Sequence, residues 1–177
     1  MKGTKDAGAG PAPVERYLEA AVARDALADG KMAFISGPRQ VGKTTLGRRL
    51  LSAAHNEFSW DVQAFRRRWV RDPWEAVSSR AEGPILLDEI HKDRRWKSRI
   101  KGLYDLHGAE VPIIVTGSAR LDFFRRGGDS LMGRYLPYRL HPFSVGERPE
   151  PPAPDVILEN DRPVFPFRDM LRLGAFP

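Results

Sequence analysis

Apolar positions along the chain switch repeatedly between a helical and a strand-like period. Positions 14, 17, 18, 21, 22 and 26 are apolar, a spacing that predicts a helix from Val14 to Leu27. Met32-Ala-Phe-Ile35 then reads as a short buried strand running into a Gly-rich turn. Thr44 to Ala54 is predicted helical, with Leu46, Leu50 and Leu51 on one side, and Glu57-Phe-Ser-Trp60 as a strand. Phe65 to Ser79 is helical in pattern but broken at Asp72-Pro73, because the residue before a proline is pushed out of the helical region. Pro84 to Leu87 is a continuous apolar run, followed by helical spacing at Trp96, Ile100, Leu103 and Tyr104. Val111 to Val115 is the next apolar run, and Tyr135 to Leu140 reads as a fifth strand. Apolar strands alternating with helices predict an α/β fold around a largely parallel sheet covered on both faces.

Composition sets the edges of that pattern. The 177 residues fit one domain. Glycine and proline are concentrated in residues 1–13, a flexible lead-in, and in 147–154, which holds four prolines. From 147 to 161 there are five acids against one arginine, whereas the preceding chain is basic, so the domain edge is expected near Gly146. The expected division is a lead-in at 1–13, a core at 14–146, and a Pro-rich linker with the start of a C-terminal region at 147–177. A net charge of +6 suits an anionic partner such as a nucleotide, a nucleic acid or an anionic lipid, without choosing among them. The absence of cysteine excludes disulfides and thiolate zinc sites. No run approaches the roughly 18 apolar residues of a membrane span. The first residues show no secretory h-region, so a cytoplasmic location is expected.

The chemistry is densest at residues 37–44, Gly37-Pro38-Arg39-Gln40-Val41-Gly42-Lys43-Thr44, which follow a predicted strand and open a predicted helix. The spacing is that of a phosphate loop, G-x-x-x-x-G-K-[ST]. Its glycines let successive backbone N–H groups turn toward a phosphate, and the helix beginning near Lys43 adds its positive end. Lys43 is placed for the β- and γ-phosphates and the Thr44 hydroxyl for Mg²⁺, with Thr45 next in the helix. Forty-five residues after Lys43, the run Ile85-Leu-Leu ends in Asp88-Glu89. After a phosphate loop, such an aspartate suits the Mg²⁺ shell and the glutamate a base for the attacking water. Ile113-Ile-Val ends in Thr116-Gly117-Ser118, where either hydroxyl can sense the γ-phosphate or the water. Arg134, after a Gly-rich segment, is the candidate finger for transition-state charge, acting on its own nucleotide or a neighbour's. Arg120, Arg125 and Arg126 read as solvated arginines.

Two basic stretches carry tryptophan. Residues 92–101 hold six cations and one acid around Trp96, and Arg66, Arg67, Arg68 and Arg71 flank Trp69. Such stretches can bind nucleic acid. Helical spacing favours buried tryptophans and a solvated charged face instead. His55, His91, His107 and His141 have no metal-ligand spacing and read as structural, with His91 beside the acidic pair.

Taken together, GPRQVGKTT at 37–45 and LDEIHK at 87–92 resemble the prokaryotic AAA+-like P-loop ATPases. Gly102-Leu-Tyr-Asp105, Val115 to Arg120, Gly127 to Arg134 and Tyr138 to Ser144 are similar to that family as well. The resemblance implies a three-layer P-loop sandwich with a mainly parallel five-stranded sheet. It implies the class with an additional strand between the P-loop strand and the acidic strand. It also implies ATP and Mg²⁺ as cofactors, with Lys43 and Thr44 on phosphate and Mg²⁺, Asp88 on Mg²⁺, Glu89 as base and 116–118 as sensor. Members of the family continue into a second domain, so the expectation is an ATPase core with a truncated C-terminal region. The expected partners are ATP and a homo-oligomer. Two other readings stay open: a small-molecule P-loop kinase, and a nucleotide-dependent DNA- or protein-binding module with little hydrolysis.

Overall fold

The computed structural model describes residues 16–80, 82–118 and 131–143. The expected lead-in, Val14, Arg120, Arg125, Arg126 and the expected linker from 147 lie outside the described residues.

Five strands form the centre: β1 (Met32–Gly37), β2 (Glu57–Ser59), β3 (Ile85–Asp88), β4 (Ile113–Ser118) and β5 (Tyr135–Arg139). Their order across the sheet is β2-β3-β4-β1-β5, and every neighbouring pair is parallel. β4 therefore lies between the P-loop strand and the acidic strand, as the resemblance implied. The helices are α1 (Leu18–Ala21), α2 (Lys43–Arg49), α3 (Gln63–Arg71), α4 (Pro73–Val77) and α5 (Trp96–His107).

Side chains of a strand point alternately to the two faces, and a parallel sheet needs both faces buried. Met32, Phe34, Ile85, Leu87, Ile113 and Val115 enter one core with Phe65, Trp69, Ala76, Val77, Ile100 and Leu103 from α3, α4 and α5. The intervening residues Ala33, Ile35, Leu86 and Ile114 enter a second core with Leu18, Val22, Ala26 and Leu46. β1, β3 and β4 thus feed both layers, which explains why they read as unbroken apolar runs.

Two helices differ from expectation. α1 continues from Val22 to Leu27 in wider π turns, with Ala28 N–H bonding to the carbonyl of Ala23 at 3.0 Å. Its core residues Leu18, Val22 and Ala26 are spaced by four, which in a regular α-helix drifts about 40° per step. A wider turn reduces that drift and keeps all three on the core. α2 ends at Arg49 rather than Ala54. Leu50 and Leu51 close it with bonds back to Gly47 and Arg48, both at 3.2 Å. The chain then turns toward β2, held by Ser52 Oγ donating to Glu82 O and by Asn56 Nδ2 donating to Pro84 O.

The break at Asp72-Pro73 is a helix start. Asp72 is extended and its Oδ1 accepts the N–H groups of Trp74 and Glu75 at 2.8 and 3.1 Å, capping α4. Asp93 joins α3 to α5. Its buried Oδ2 accepts the Trp69 indole N–H at 3.1 Å and Arg99 at 2.5 Å, and Oδ1 accepts Arg95 N–H at 2.9 Å. Removing one member of a buried ion pair strands the other charge. Asp93→Ala is therefore expected to lower stability by about 3–5 kcal/mol, read from urea unfolding. A loss below about 1 kcal/mol, the range of exposed pairs, would contradict the buried-pair assignment.

Candidate functional site

The carboxyl ends of β1, β3 and β4 lie on one side of the sheet, β3 stopping two residues before the other two. Ile35 is in register with Thr116 and Gly37 with Ser118, while Thr116 is also in register with Asp88. The polar residues at the ends of three apolar strands therefore meet at one end of the sheet.

The loop after β1 turns through two left-handed residues, Gln40 at φ 61° and Gly42 at φ 93°. Glycine supplies the second without steric cost. Gly37 answers a different constraint: a Cβ there would lie 2.3 Å from the carbonyl oxygen of Leu140, just beyond β5. Val41 turns fully inward among the second core's residues, so only its backbone faces the loop. Pro38 is half-buried, and Arg39, Gln40 and Thr45 are exposed. Lys43 is buried, and its ammonium donates to the carbonyls of Gly37 at 3.1 Å and Pro38 at 2.5 Å. Burial pushes the Lys43 ammonium below its ordinary pKa, partly offset by the nearby Glu89 and Asp88 carboxylates.

Asp88 Oδ1 is the point of convergence. It accepts the Thr44 hydroxyl at 3.1 Å and the Thr116 hydroxyl from β4, a fully buried residue. Two hydroxyls and a carboxylate are hard oxygen donors, the set Mg²⁺ prefers. Magnesium takes only one or two protein ligands beside phosphate and water. Thr116 is thus already committed to Asp88, while Ser118 is level with Gly37 at the rim.

Glu89 occupies a left-handed conformation at φ 55°, a strained geometry for a non-glycine residue, with its N–H on the Thr116 carbonyl at 3.0 Å. The chain reverses there into the 3₁₀ turn Ile90–Lys92. That turn brings Lys92 Nζ to 3.4 Å and His91 Nε2 to 3.7 Å from Glu89 Oε2. Lys92 also holds both Asp61 oxygens at 2.8 and 2.9 Å.

Arg134 corrects half of an expectation. It precedes Tyr135, which is in register with Met32 at the opposite end of β1 from the phosphate loop. Five strand residues of about 3.3 Å each separate the two ends, further than an arginine side chain spans. Arg134 instead pairs with Asp105, Nε to Oδ1 at 2.6 Å, and cannot serve its own nucleotide.

Arg16 was missed from sequence, where it reads as an ordinary polar position of the predicted first helix. It is buried, donates to Val41 O at 2.8 Å and His141 O at 2.7 Å, and lies 4.6 Å over the Phe143 ring. It braces the phosphate loop against the chain leaving β5.

The sequence matches the AAA domain family over residues 29–148, most of the chain. The chain belongs to that family. It is 33% identical over 125 residues to uncharacterized proteins of Mycobacterium tuberculosis and Mycobacterium bovis. The match covers 68% of this chain, which spans about a quarter (27%) of the length of those relatives. Among solved structures, the Thermotoga maritima RuvB Holliday junction branch migration motor is similar at TM-score 0.49 and 18% identity, covering 76% of this chain and 48% of that one. C. elegans PCH-2 is similar at TM-score 0.42 and 14% identity, covering 89% of this chain and 45% of that one. Family and sheet together make the AAA domain a P-loop ATPase fold. No helix among the described residues is long and apolar enough to cross a membrane.

His91 gives the site a pH signature. Its Nδ1 is buried with no hydrogen-bond partner among the described residues, and burial lowers its pKa below the ordinary 6.5, partly offset by Glu89. The unfolded chain then binds the proton more readily than the folded one, so this residue costs stability as pH falls through 6.5. His91→Leu should remove that component, so that the difference in melting temperature between variant and wild type shifts in the variant's favour on acidification. A difference that stays constant with pH would refute it.

Proposed function

We propose that this AAA domain binds ATP with Mg²⁺ and hydrolyses it. The observation that carries the reading is the Asp88 carboxylate, held by hydroxyls of both the loop helix and β4 beside a buried Lys43. The backbone N–H groups from Arg39 to Thr44 cradle the phosphates, and Lys43 gives up its loop carbonyls for the β- and γ-phosphate oxygens. Thr44 and Asp88 are the residues that would hold Mg²⁺, whose charge supports that building on the phosphates. Glu89 takes a proton from water as its oxygen attacks the γ-phosphorus. The bond to the β-phosphate oxygen breaks and ADP carries the electron pair away. Ser118, at the rim, and Thr116, through Asp88, sense the γ-phosphate. The kinase alternative would want a free acid after the second strand for an acceptor hydroxyl, and Asp61 there is held by Lys92.

Lys43→Ala should weaken ATP binding at least tenfold, since a charge-assisted phosphate contact is worth about 1.5–3 kcal/mol. Glu89→Gln should leave ATP–Mg²⁺ binding intact and cut phosphate release by about a hundredfold. Titration and malachite-green release read the two effects. Unchanged affinity in the first variant, or full turnover in the second, would sink the respective role.

With its own nucleotide out of reach, Arg134 is proposed as a finger for a neighbour in a homo-oligomer. A finger supplied in trans contributes on the order of 10³–10⁵ in rate and little to binding. Specific activity should rise with protein concentration. Mixing Arg134→Ala with Lys43→Ala protein should restore turnover, because each supplies what the other lacks. Activity flat across a wide dilution series, with no rescue on mixing, would reject this role.

A further inference from the structure

The two basic stretches singled out in the sequence lie far apart along the chain, yet Asp93 pins them together. Its carboxylate takes the Trp69 indole from α3 and the Arg99 guanidinium from α5, and Arg99 also donates to Val70 O at 3.5 Å. The turn at Asp93–Arg95 therefore packs along the Trp69–Val70 flank of α3. Trp69 is fully buried and Trp96 packs on the same core, 6.0 Å from the Phe34 ring. The charges stay outside.

Acids near this surface are already engaged. Asp61 holds Lys92, Glu75 holds Arg71, Asp93 holds Arg99, Asp105 holds Lys101 and Arg134, and Asp72 caps α4. Arg67, Arg68, Arg94 and Arg95 are exposed, and none has an acidic partner among the described residues. The same holds for Arg66, whose guanidinium lies 6.0 Å over the Trp60 ring. On α3, Arg66 and Arg67 flank Val70, the residue whose carbonyl meets Arg99, whereas Arg68 lies about 100° further round the helix on the other flank. The four guanidinium groups of Arg66, Arg67, Arg94 and Arg95, with no local counter-charge, form a positive field.

We infer that the face formed by α3 and the Asp93–Arg95 turn binds the phosphate backbone of duplex nucleic acid without reading its sequence. The guanidinium fork matches phosphate oxygens in pairs, where an ammonium offers only a point charge. An α-helix, about 10–12 Å across with its side chains, fits the roughly 12 Å width of the major groove. A single strand would want exposed aromatic rings to stack its bases, and Trp69 is fully buried while Trp60 and Trp96 are half-buried and packed against the core. An anionic membrane would want large apolar side chains to insert. The exposed large apolar residues on α3 and the turn before it are only Val62 and Val70.

The test is fluorescence anisotropy of the full chain with a mixed-sequence DNA duplex of about 30 base pairs, titrated between about 50 and 200 mM salt. Four phosphate contacts predict that log K falls with log salt at a slope of about −3.6. Arg94→Ala/Arg95→Ala should reduce that slope by about 2 and weaken binding to unrelated duplexes equally. Both side chains are exposed, and it is the Arg95 backbone that meets Asp93, so melting temperature should be unchanged. Arg24→Ala, whose guanidinium pairs with Asp25 at 2.6 Å, is the control and should leave the slope as it is. The same strand unpaired, poly-glutamate and vesicles rich in anionic lipid complete the panel. No binding at the lowest salt, an equal loss in the control, or tighter binding to single strand, poly-glutamate or vesicles than to duplex would overturn the assignment. None of these measurements depends on ATP turnover, so an inactive ATPase would leave the inference standing.

Discussion

Parallel alignment is the constraint on which this molecule turns. Strands running the same way, buried on both faces, can expose polar groups only where they end, and their carboxyl ends all lie on one side of the sheet. β1, β3 and β4 reach that side in register, so the phosphate loop, Asp88 and Thr116 arrive together without any one of them being placed separately. Asp88 makes the alignment chemical: one of its oxygens accepts a hydroxyl from α2 and another from β4, so helix and strand share an acceptor. A slip of one residue in either strand pair would turn these groups to the opposite face and break both bonds.

The phosphate loop is a backbone device braced from outside. Gly37 lets the chain after β5 approach where any side chain would collide with the Leu140 carbonyl. Leu140 N–H bonds to Ser36 O at 2.8 Å across that gap. Arg16 then ties the loop at Val41 to His141 beyond β5. The entry to α1, the loop and the exit from β5 are one mechanical unit, so the backbone groups meant for phosphate keep their geometry before any ligand arrives.

Most of the fold was legible because burial on two faces leaves continuous apolar runs, as at Ile85-Leu-Leu and Ile113-Ile-Val. The phosphate loop was legible because its glycines and Lys43 have few other uses at that spacing. Contacts made by single long side chains across the fold could not be read. Arg16 reaches Val41 and His141 from 25 and 125 residues away. No period or motif records such a reach. Which nucleotide Arg134 could reach was hidden for a related reason: adjacency to a strand in sequence says nothing about which end of the sheet it occupies until register is known. Helix ends failed locally, since Leu50 and Leu51 keep the apolar rhythm of α2 while the backbone has already turned away.

Residues 89–95 join the nucleotide site to the basic face, and their chemistry keeps the two separate. Glu89 is bonded through its N–H to Thr116, and the next three residues form a tight 3₁₀ turn. Asp93 then anchors the segment in the core with bonds from Trp69, Arg99 and the backbone of Arg95. A buried, fully engaged carboxylate is a stiff joint, because moving it exposes charges that have no other partner. Neutralising Arg94 and Arg95 therefore changes the charge beyond the joint without requiring Glu89 to move. Lys92 sits on the other side of that joint, shared between Glu89 and Asp61, and it answers to the nucleotide site. The two proposed functions thus share one seven-residue segment because a single buried aspartate divides it.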